Sequence, residues 1–435
     1  MVGKKTDTFK KVSSDQILDS LIFKAIETNA SFIHIEPREL DVLVRFRVNG
    51  ALIEINKFPK SKLNGVNERI KKLANLDTSI RDIPQDGRFK SKNNDDTYTL
   101  RVSILPTIDG EKISINILNG STKTPDLKTL GYWGHGLKAM SNAAKDQNGV
   151  ILISGPRDSG KSLSLVSMLN NIDNPDKKIA TIEDPVEYIL KKAHQTQVNH
   201  KTNLSFVNGL KAIEKQDNDV IMVSEIRDSE VANLVFHYGS RGKLVLSSIY
   251  SNSITDSINK LLNVGISRSE IAHTLRLVSS QRLVRKLCEN CRESFEPDKS
   301  TLALINEVFG LKDPGRMKYI HKLETEYYSD ATGNEPNIKD LSTTENRIKK
   351  LWRINTDGCE KCLHTGYVGR IGLYEIINMS PAIRKLILSL ASSKVLFDKA
   401  VKEGTVSILT DGLVKSLQGV TSINEVFRLI QENVK

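Results

Sequence analysis

Residues 153–162 read ISGPRDSGKS, between the apolar stretch GVIL at 149–152 and a segment, SLVSMLNN, with helical character. Gly155, Gly160, Lys161 and Ser162 satisfy G-x-x-x-x-G-K-[ST] in the strand–loop–helix context that gives this spacing its chemistry. Glycines let consecutive backbone N–H groups close around phosphate oxygens, and the following helix adds its positive end. The expected cradle runs through Gly155, Pro156, Arg157, Asp158, Ser159, Gly160 and Lys161 to Ser162 and Leu163. Lys161 would reach the β- and γ-phosphates of a nucleotide, and the Ser162 hydroxyl would hold Mg²⁺.

The four cysteines form a second constellation. They occur as two pairs, Cys288-x-x-Cys291 and Cys359-x-x-Cys362, with none left over. Such pairs supply four thiolates at tetrahedral spacing for a structural Zn²⁺. A disulfide or a redox dithiol uses the same residues. A reducing compartment disfavours the first, and the second needs only one pair. With four sulfurs the shell is closed, so this metal is expected to be structural.

Composition sets the surroundings. The chain has 435 residues, 26% charged and 39% hydrophobic, ordinary for a globular protein of about two to four domains. No apolar run approaches the roughly 18 residues of a membrane span. The basic start, MVGKKTDTFKK, has no apolar segment behind it, so no signal peptide is expected. The net charge of +11 is spread over scattered lysines, and aromatic residues are only 6%. Neither a concentrated basic stripe nor a stacking platform is visible, so nucleic acid is not expected as a partner.

The elements that must position these groups can be read in outline. Ser13-x-x-Gln16 is a capping box ahead of an apolar face at Ile17, Leu18, Leu21, Ile22, Ala25 and Ile26. Val42, Val44, Phe46 and Val48 alternate as a strand, and Asn49-Gly50 predicts a type I′ turn. Strands at 32–36, 98–104 and 112–118 and a helix at 63–76 complete a small N-terminal α/β domain, residues 1–118. Residues 119–131, rich in turn formers, form a linker. Strands at 149–153, 178–182, 219–223 and 243–247 alternate with helices, the pattern of a parallel nucleotide-binding sheet over 132–287. A zinc subdomain follows at 288–365, carrying a long polar insertion whose middle, YYSDATGNEPNIKD at 327–340, is expected to be a turn-rich, mobile excursion between the knuckles. The remainder, 366–435, is expected to be helical, with Ser422-x-x-Glu425 capping the last helix.

Three segments narrow the chemistry. TIEDPVEY at 181–188 resembles the acidic "Asp box" of secretion ATPases, and QDNDVIMVSEIRD at 216–228 resembles their Walker B segment. QRLVRKLCENC with GCEKCLHTGYVGRIGLYE resembles the zinc-bearing region of their assembly branch. Further segments, SFIHIEPRELDVLVRFRVNG, IPQDGRFK and LRVSILPTIDGEK, align in order. The chain therefore resembles the ATPases of type II secretion and type IV pilus assembly over nearly its whole length. The resemblance implies a RecA-like P-loop domain behind the N-terminal α/β domain, and an ATP-hydrolysing homo-hexamer with ATP, Mg²⁺ and Zn²⁺. It also implies a polytopic inner-membrane platform protein as partner and a cytoplasmic location, peripheral at the inner membrane. Glu225 matches the Walker B glutamate that orients the attacking water. Glu183, Asp184 and Glu187 match the Asp box, and Arg88 and Arg101 match arginines that reach nucleotide phosphates. Glu187 is also readable as a solvated loop carboxylate, and Arg88 as a surface partner of Asp86.

Four positions depart from the family. Asp158 replaces a loop glycine and Ser224 the glycine before Glu225. Lys243 and Tyr250 stand where GHLVLSTLHTN has histidines that are taken to sense the γ-phosphate. Lys243 is expected to supply a fixed positive charge there. If it does not, the chain is a weakly active or inactive nucleotide-binding paralogue serving as a structural ring subunit. A DNA-translocating ATPase is the third reading.

Overall fold

The computed structural model describes residues 12–93, 96–118, 124–172, 176–337 and 339–433. The chain divides into two compact units, Met1–Lys123 with Glu187–Ile189, and Thr124–Val186 with Leu190–Lys435.

In the first unit α1 (Ser14–Glu27) is followed by β1 (Ala30–Pro37), β2 (Asp41–Val48), β3 (Ala51–Pro59) and α2 (Leu63–Leu73). Strands β4 (Gln85–Asn93), β5 (Asp96–Thr107) and β6 (Gly110–Leu118) complete it. Ser13 and Gln16 form the expected capping box. Asn49 and Gly50 both have positive φ, as a type I′ turn requires, and Val48 pairs with Ala51 across it. The strands form one antiparallel sheet, β3-β2-β1-β6-β5-β4. Its apolar face carries Ile33, Ile35, Val44, Phe46, Ile113 and Ile115 into a core shared with both helices. β4 has no sequence signal, because QDGRFKSKN buries only Phe89.

The second unit is built on a sheet ordered β15-β12-β7-β11-β10-β8-β9. After α3 (Gly134–Ala143) come β7 (Gly149–Gly155), α4 (Lys161–Asn170), β8 (Ile179–Glu183), β9 (Ala193–Gln197) and α5 (Phe206–Glu214). Next are β10 (Val220–Val223), α6 (Ser229–Ser240), β11 (Leu244–Tyr250), α7 (Ile254–Asn263), α8 (Arg268–Thr274) and β12 (Leu275–Leu287). β7, β8, β10 and β11 are buried runs rather than alternating ones, as strands covered on both faces should be. Neighbours from β12 to β9 pair in parallel, with the phosphate loop at the carboxyl end of β7.

Three expectations are corrected. The C-terminal stretch is not all helical: β15 (Tyr367–Asn378) pairs antiparallel with β12 and forms the sheet edge. Helices α11 (Pro381–Leu388), α12 (Ser393–Lys402), α13 (Ile408–Leu417) and α14 (Ile423–Asn433) come after it. Of the middle expected to be turn-rich, 327–340, only the described residues after Thr332 lie outside helix and strand. Between β13 (Glu293–Phe295) and β14 (Leu351–Arg353) the insertion forms α9 (Lys299–Phe309) and α10 (Pro314–Thr332), and Tyr327–Thr332 are the last turns of α10. Ile305, Phe309, Met317 and Ile320 pack with Leu413, Leu417 and Val426, so the insertion shares a core with the C-terminal helices. Glu425 does not serve a capping box. Its carboxylate is buried and accepts from the Arg285 backbone N–H and guanidinium, because a buried carboxylate needs a cation more than a helix end needs a second cap.

Residues 119–123 of the expected linker lie outside the described residues. Its remainder is held on the second unit: the Leu130 carbonyl accepts from Gly372 N–H and Tyr374 O–H, and Leu127 is buried.

Candidate nucleotide site

Two glycines make the loop. At Gly155 a side chain would meet the Ser159 hydroxyl and, at 2.7 Å, the Gln281 carbonyl. Gly160 sits at φ +88° as the N-cap of α4, a conformation glycine adopts freely. The Lys161 ammonium turns back onto the Gly155 and Pro156 carbonyls, at 3.0 and 2.8 Å. Burial pulls its pKa down, while the charges of Glu225 and Asp158 oppose that pull. Glu225 therefore lies within electrostatic reach of Lys161. A nucleotide would replace two carbonyl acceptors with phosphate oxygens, a stronger charge-assisted pairing.

The structure brings only part of the expected carboxylate set together. The Arg227 guanidinium joins Asp184 Oδ2 (2.8 Å) to Glu225 Oε2 (3.2 Å), across the neighbouring ends of β8 and β10. Glu183 points into the protein: it is 4% exposed and accepts from the Thr181 hydroxyl and the Gln195 amide. Glu187 lies on the exposed loop after β8. Ser224 is tolerated because its φ is not positive; its N–H donates to the Ile182 carbonyl.

Lys243 requires a correction. It immediately precedes β11, whose first residue pairs with Gly149 at the amino end of β7, whereas Tyr250 at the other end pairs with Gly155. Seven residues of strand, at about 3.3 Å each, separate Lys243 from the phosphate loop within the chain. Lys243 faces Asp217 instead, at 3.9 Å. Tyr250 is at the loop, with the Lys260 ammonium over its ring and bonded to its carbonyl.

In the first unit Arg88 and Arg101 are directly opposite on β4 and β5, so their exposed side chains share one face. Among the described residues neither has an ion-pair partner, so the alternative reading of Arg88 as a surface partner of Asp86 finds no such pair. Like charges placed opposite one another destabilise a sheet unless an anion joins them.

Sequence reasoning missed the support beneath the loop. Gln281 on β12, 1% exposed, donates to the Ser159 carbonyl at 2.7 Å and accepts from Ser164 and Tyr132 hydroxyls. Tyr132 stacks on Tyr374, and the Tyr374 N–H donates to Asp411, which pairs with buried Lys415. Arg282 bonds the Asn252 carbonyl just past Tyr250. The only available signal was the QR of QRLVRKL, legible as a motif but not as a strand.

Glu375, opposite Ser280, is a further titratable group. Burial pushes its carboxyl up to about 7, against the Ile408 N–H and the Arg282 charge. A raised carboxyl favours the protonated native state. Its contribution to stability is full below the unfolded value and lost as pH rises through about 7. Melting temperatures of wild type should fall between pH 5 and 8 (about the two flanks of that window), and Glu375→Gln should remove that component. Identical pH profiles would refute it.

Asp158 adopts φ +58°, where glycine is unstrained, and its charge opposes incoming phosphates. Asp158→Gly should tighten ATP binding about tenfold, roughly 1.4 kcal/mol. Asp158→Asn, which keeps the side chain and removes the charge, should recover most of that gain. Calorimetric titration at two salt concentrations checks it; equal affinities would show that the carboxylate faces away from the ligand.

The four sulfurs converge. Cys288–Cys359, Cys291–Cys362 and Cys359–Cys362 Sγ distances are 3.7, 3.8 and 3.7 Å, and all four lie within 4.8 Å of one another. Zn–S bonds of about 2.3 Å in a tetrahedron put sulfurs about 3.8 Å apart, so the donor set fits zinc. These separations are too long for a disulfide, whose S–S bond is about 2.05 Å. Backbone N–H groups of Cys359 and Gly366 point at Cys362 Sγ, which suits a thiolate.

The profile of the family described as "Type II/IV secretion system protein" matches residues 9–428. The chain is 34% identical over 418 residues to the type IV pilus assembly ATPase PilB of Pseudomonas aeruginosa, covering 96% of this chain and 67% of that protein. It is 34% identical over 419 residues to the type II secretion system ATPase E of Vibrio cholerae, covering 96% and 75%. It spans 42% of the length of PilB of Thermus thermophilus, also at 34% identity and over 95% of this chain. The solved structure of the Legionella pneumophila ATPase DotB matches with a TM-score of 0.66 at 17% identity, over 97% of each chain. The pilus retraction motor PilT with bound ADP matches at 0.52 and 19%, over 93% of this chain and 97% of that one. The two structures show a shared fold, and the sequence matches show kinship: the chain belongs to the family of type II secretion and type IV pilus assembly ATPases.

Proposed function

We propose that the chain is the ATP-hydrolysing subunit of a hexameric motor for type IV pilus assembly or type II protein secretion, working at the inner membrane beside a polytopic platform protein. The observation that carries this reading is the phosphate loop with Lys161 and Ser162 in place and Glu225 within electrostatic reach of Lys161. ATP would lie on the loop and the amino end of α4. Ser162 would hold Mg²⁺, which supplies charge neutralisation on the phosphates. Glu225 would orient the attacking water. Arg88 and Arg101, matched through the resemblance, would neutralise phosphate charge. The zinc module would brace the β12–β15 ribbon that carries Gln281. No described helix is long and apolar enough to cross a membrane.

The structural-subunit reading keeps one specific support, the placement of Lys243 away from the loop, which leaves both family histidines unreplaced in kind. The deciding experiment is Mg²⁺-dependent phosphate release by zinc-loaded protein, with ring size measured by light scattering. Turnover in a six-membered ring supports the motor. ATP binding by assembled rings without turnover would overturn it in favour of the structural subunit.

A further inference from the structure

Arg227 is a residue the phosphate-loop chemistry does not call for, yet it occupies the centre of the carboxylate pair. Nη1 bonds Asp184 Oδ2 and Nε bonds Glu225 Oε2. Val223 and Ile182 are register partners, so the two acids sit on adjacent strand ends. Without a cation between them, two like charges would face each other there.

The chain just before and just after Arg227 is held by hydrogen bonds. Ser224 N–H donates to Ile182 O, Ile226 N–H to Ser248 O, and the Ser248 hydroxyl to Ser224 O. Asp228 caps α6 through the Val231 N–H. The guanidinium itself lies 5.1 Å from the centre of the Phe206 ring. A planar fork held in this way fixes two directions at once, which a lysine ammonium does not. Glu225 Oε2 is thereby taken, and among the described residues Oε1 has no hydrogen-bond partner.

We propose that Arg227 is a positioning residue for hydrolysis: it ties Glu225 to Asp184 so that the second oxygen of Glu225 faces the attacking water. The inference rests on Glu225 acting as proposed above. A carboxylate free to rotate would orient water in only a fraction of encounters, so the loss should appear in kcat and not in nucleotide binding.

The test uses the full zinc-loaded chain, with ATP turnover and ATP affinity measured for wild type, Arg227→Ala, Arg227→Lys, Asp184→Asn and the Arg227→Ala/Asp184→Asn double variant. Arg227→Ala should lower kcat by about 10- to 100-fold with KM and affinity changed less than about twofold. Arg227→Lys should recover part of the loss. The double variant should be no worse than the weaker single one, because both break the same bridge. Unchanged turnover in Arg227→Ala, a loss carried by KM, or additive losses would overturn the inference while leaving the motor reading intact. If Arg227→Ala melts below assay temperature, Arg227→Lys against Asp184→Asn decides by the same criteria. Absence of turnover in wild type would overturn the motor reading and this inference with it.

Discussion

Glu225→Gln should reduce Mg²⁺-dependent ATP turnover by about 100- to 1,000-fold while leaving ATP affinity within a few-fold. Lys161→Ala should instead remove measurable ATP binding. The contrast follows from what each side chain does. The Lys161 ammonium is already poised on two loop carbonyls at the position phosphates would take, so its charge contributes in the ground state and in the transition state alike. Glu225 is acceptor-only, one oxygen is held by Arg227, and its charge matters when water is being deprotonated or aligned. The amide keeps the shape and can still bond Arg227 through its oxygen, but it cannot accept a proton. Binding and turnover must be measured on the same preparations. Equal loss of binding in both variants would show that Glu225 holds the nucleotide rather than the water, and undiminished turnover in Glu225→Gln would move the catalytic carboxylate elsewhere.

Removal of the metal should have the second large effect. Chelation, or Cys359→Ser, should release one zinc per chain and lower the melting temperature by on the order of 10 °C, since four-thiolate sites contribute about 10 kcal/mol or more to local folding. Cys288 directly follows β12, and Cys359 and Cys362 shortly precede β15. Loss of the clasp therefore frees one end of a ribbon of two long paired strands. The insertion core of α9, α10, α13 and α14 should loosen with it, as hydrogen exchange would show at 293–353. Turnover should fall as a consequence, through Gln281 and the Ser159 carbonyl it holds. Full metal loss with an unchanged melting curve would mean that the cysteines are dispensable for the fold.

Several features were legible from residue order alone because their physics is local. A phosphate loop needs contiguous backbone N–H groups, so Gly155, Gly160, Lys161 and Ser162 announce it without knowledge of the rest. The two C-x-x-C pairs announce a four-sulfur cluster because each knuckle is a short-range structure. The capping box at Ser13 and the Asn49-Gly50 turn are likewise decided within four residues. Buried parallel strands such as 220–223 stand out because both faces are covered and every residue is apolar.

Tertiary structure decided the rest. β12 hides in LVSSQRL because it buries Ser279, Ser280, Gln281 and Arg282 beneath the phosphate loop, and the Gln281 amide finds its partners at Ser159 and Ser164, far away in sequence. The insertion reads as polar because its helices hide their apolar faces against α13 and α14, about a hundred residues downstream and outside any local sequence window. Lys243 and Tyr250 look equivalent in the sequence, seven residues apart in one motif. Only the strand between them shows that Tyr250 stands at the phosphate loop and Lys243 at the opposite, amino end of the strand, because a β-strand advances every residue in one direction and cannot bring both ends to the same place.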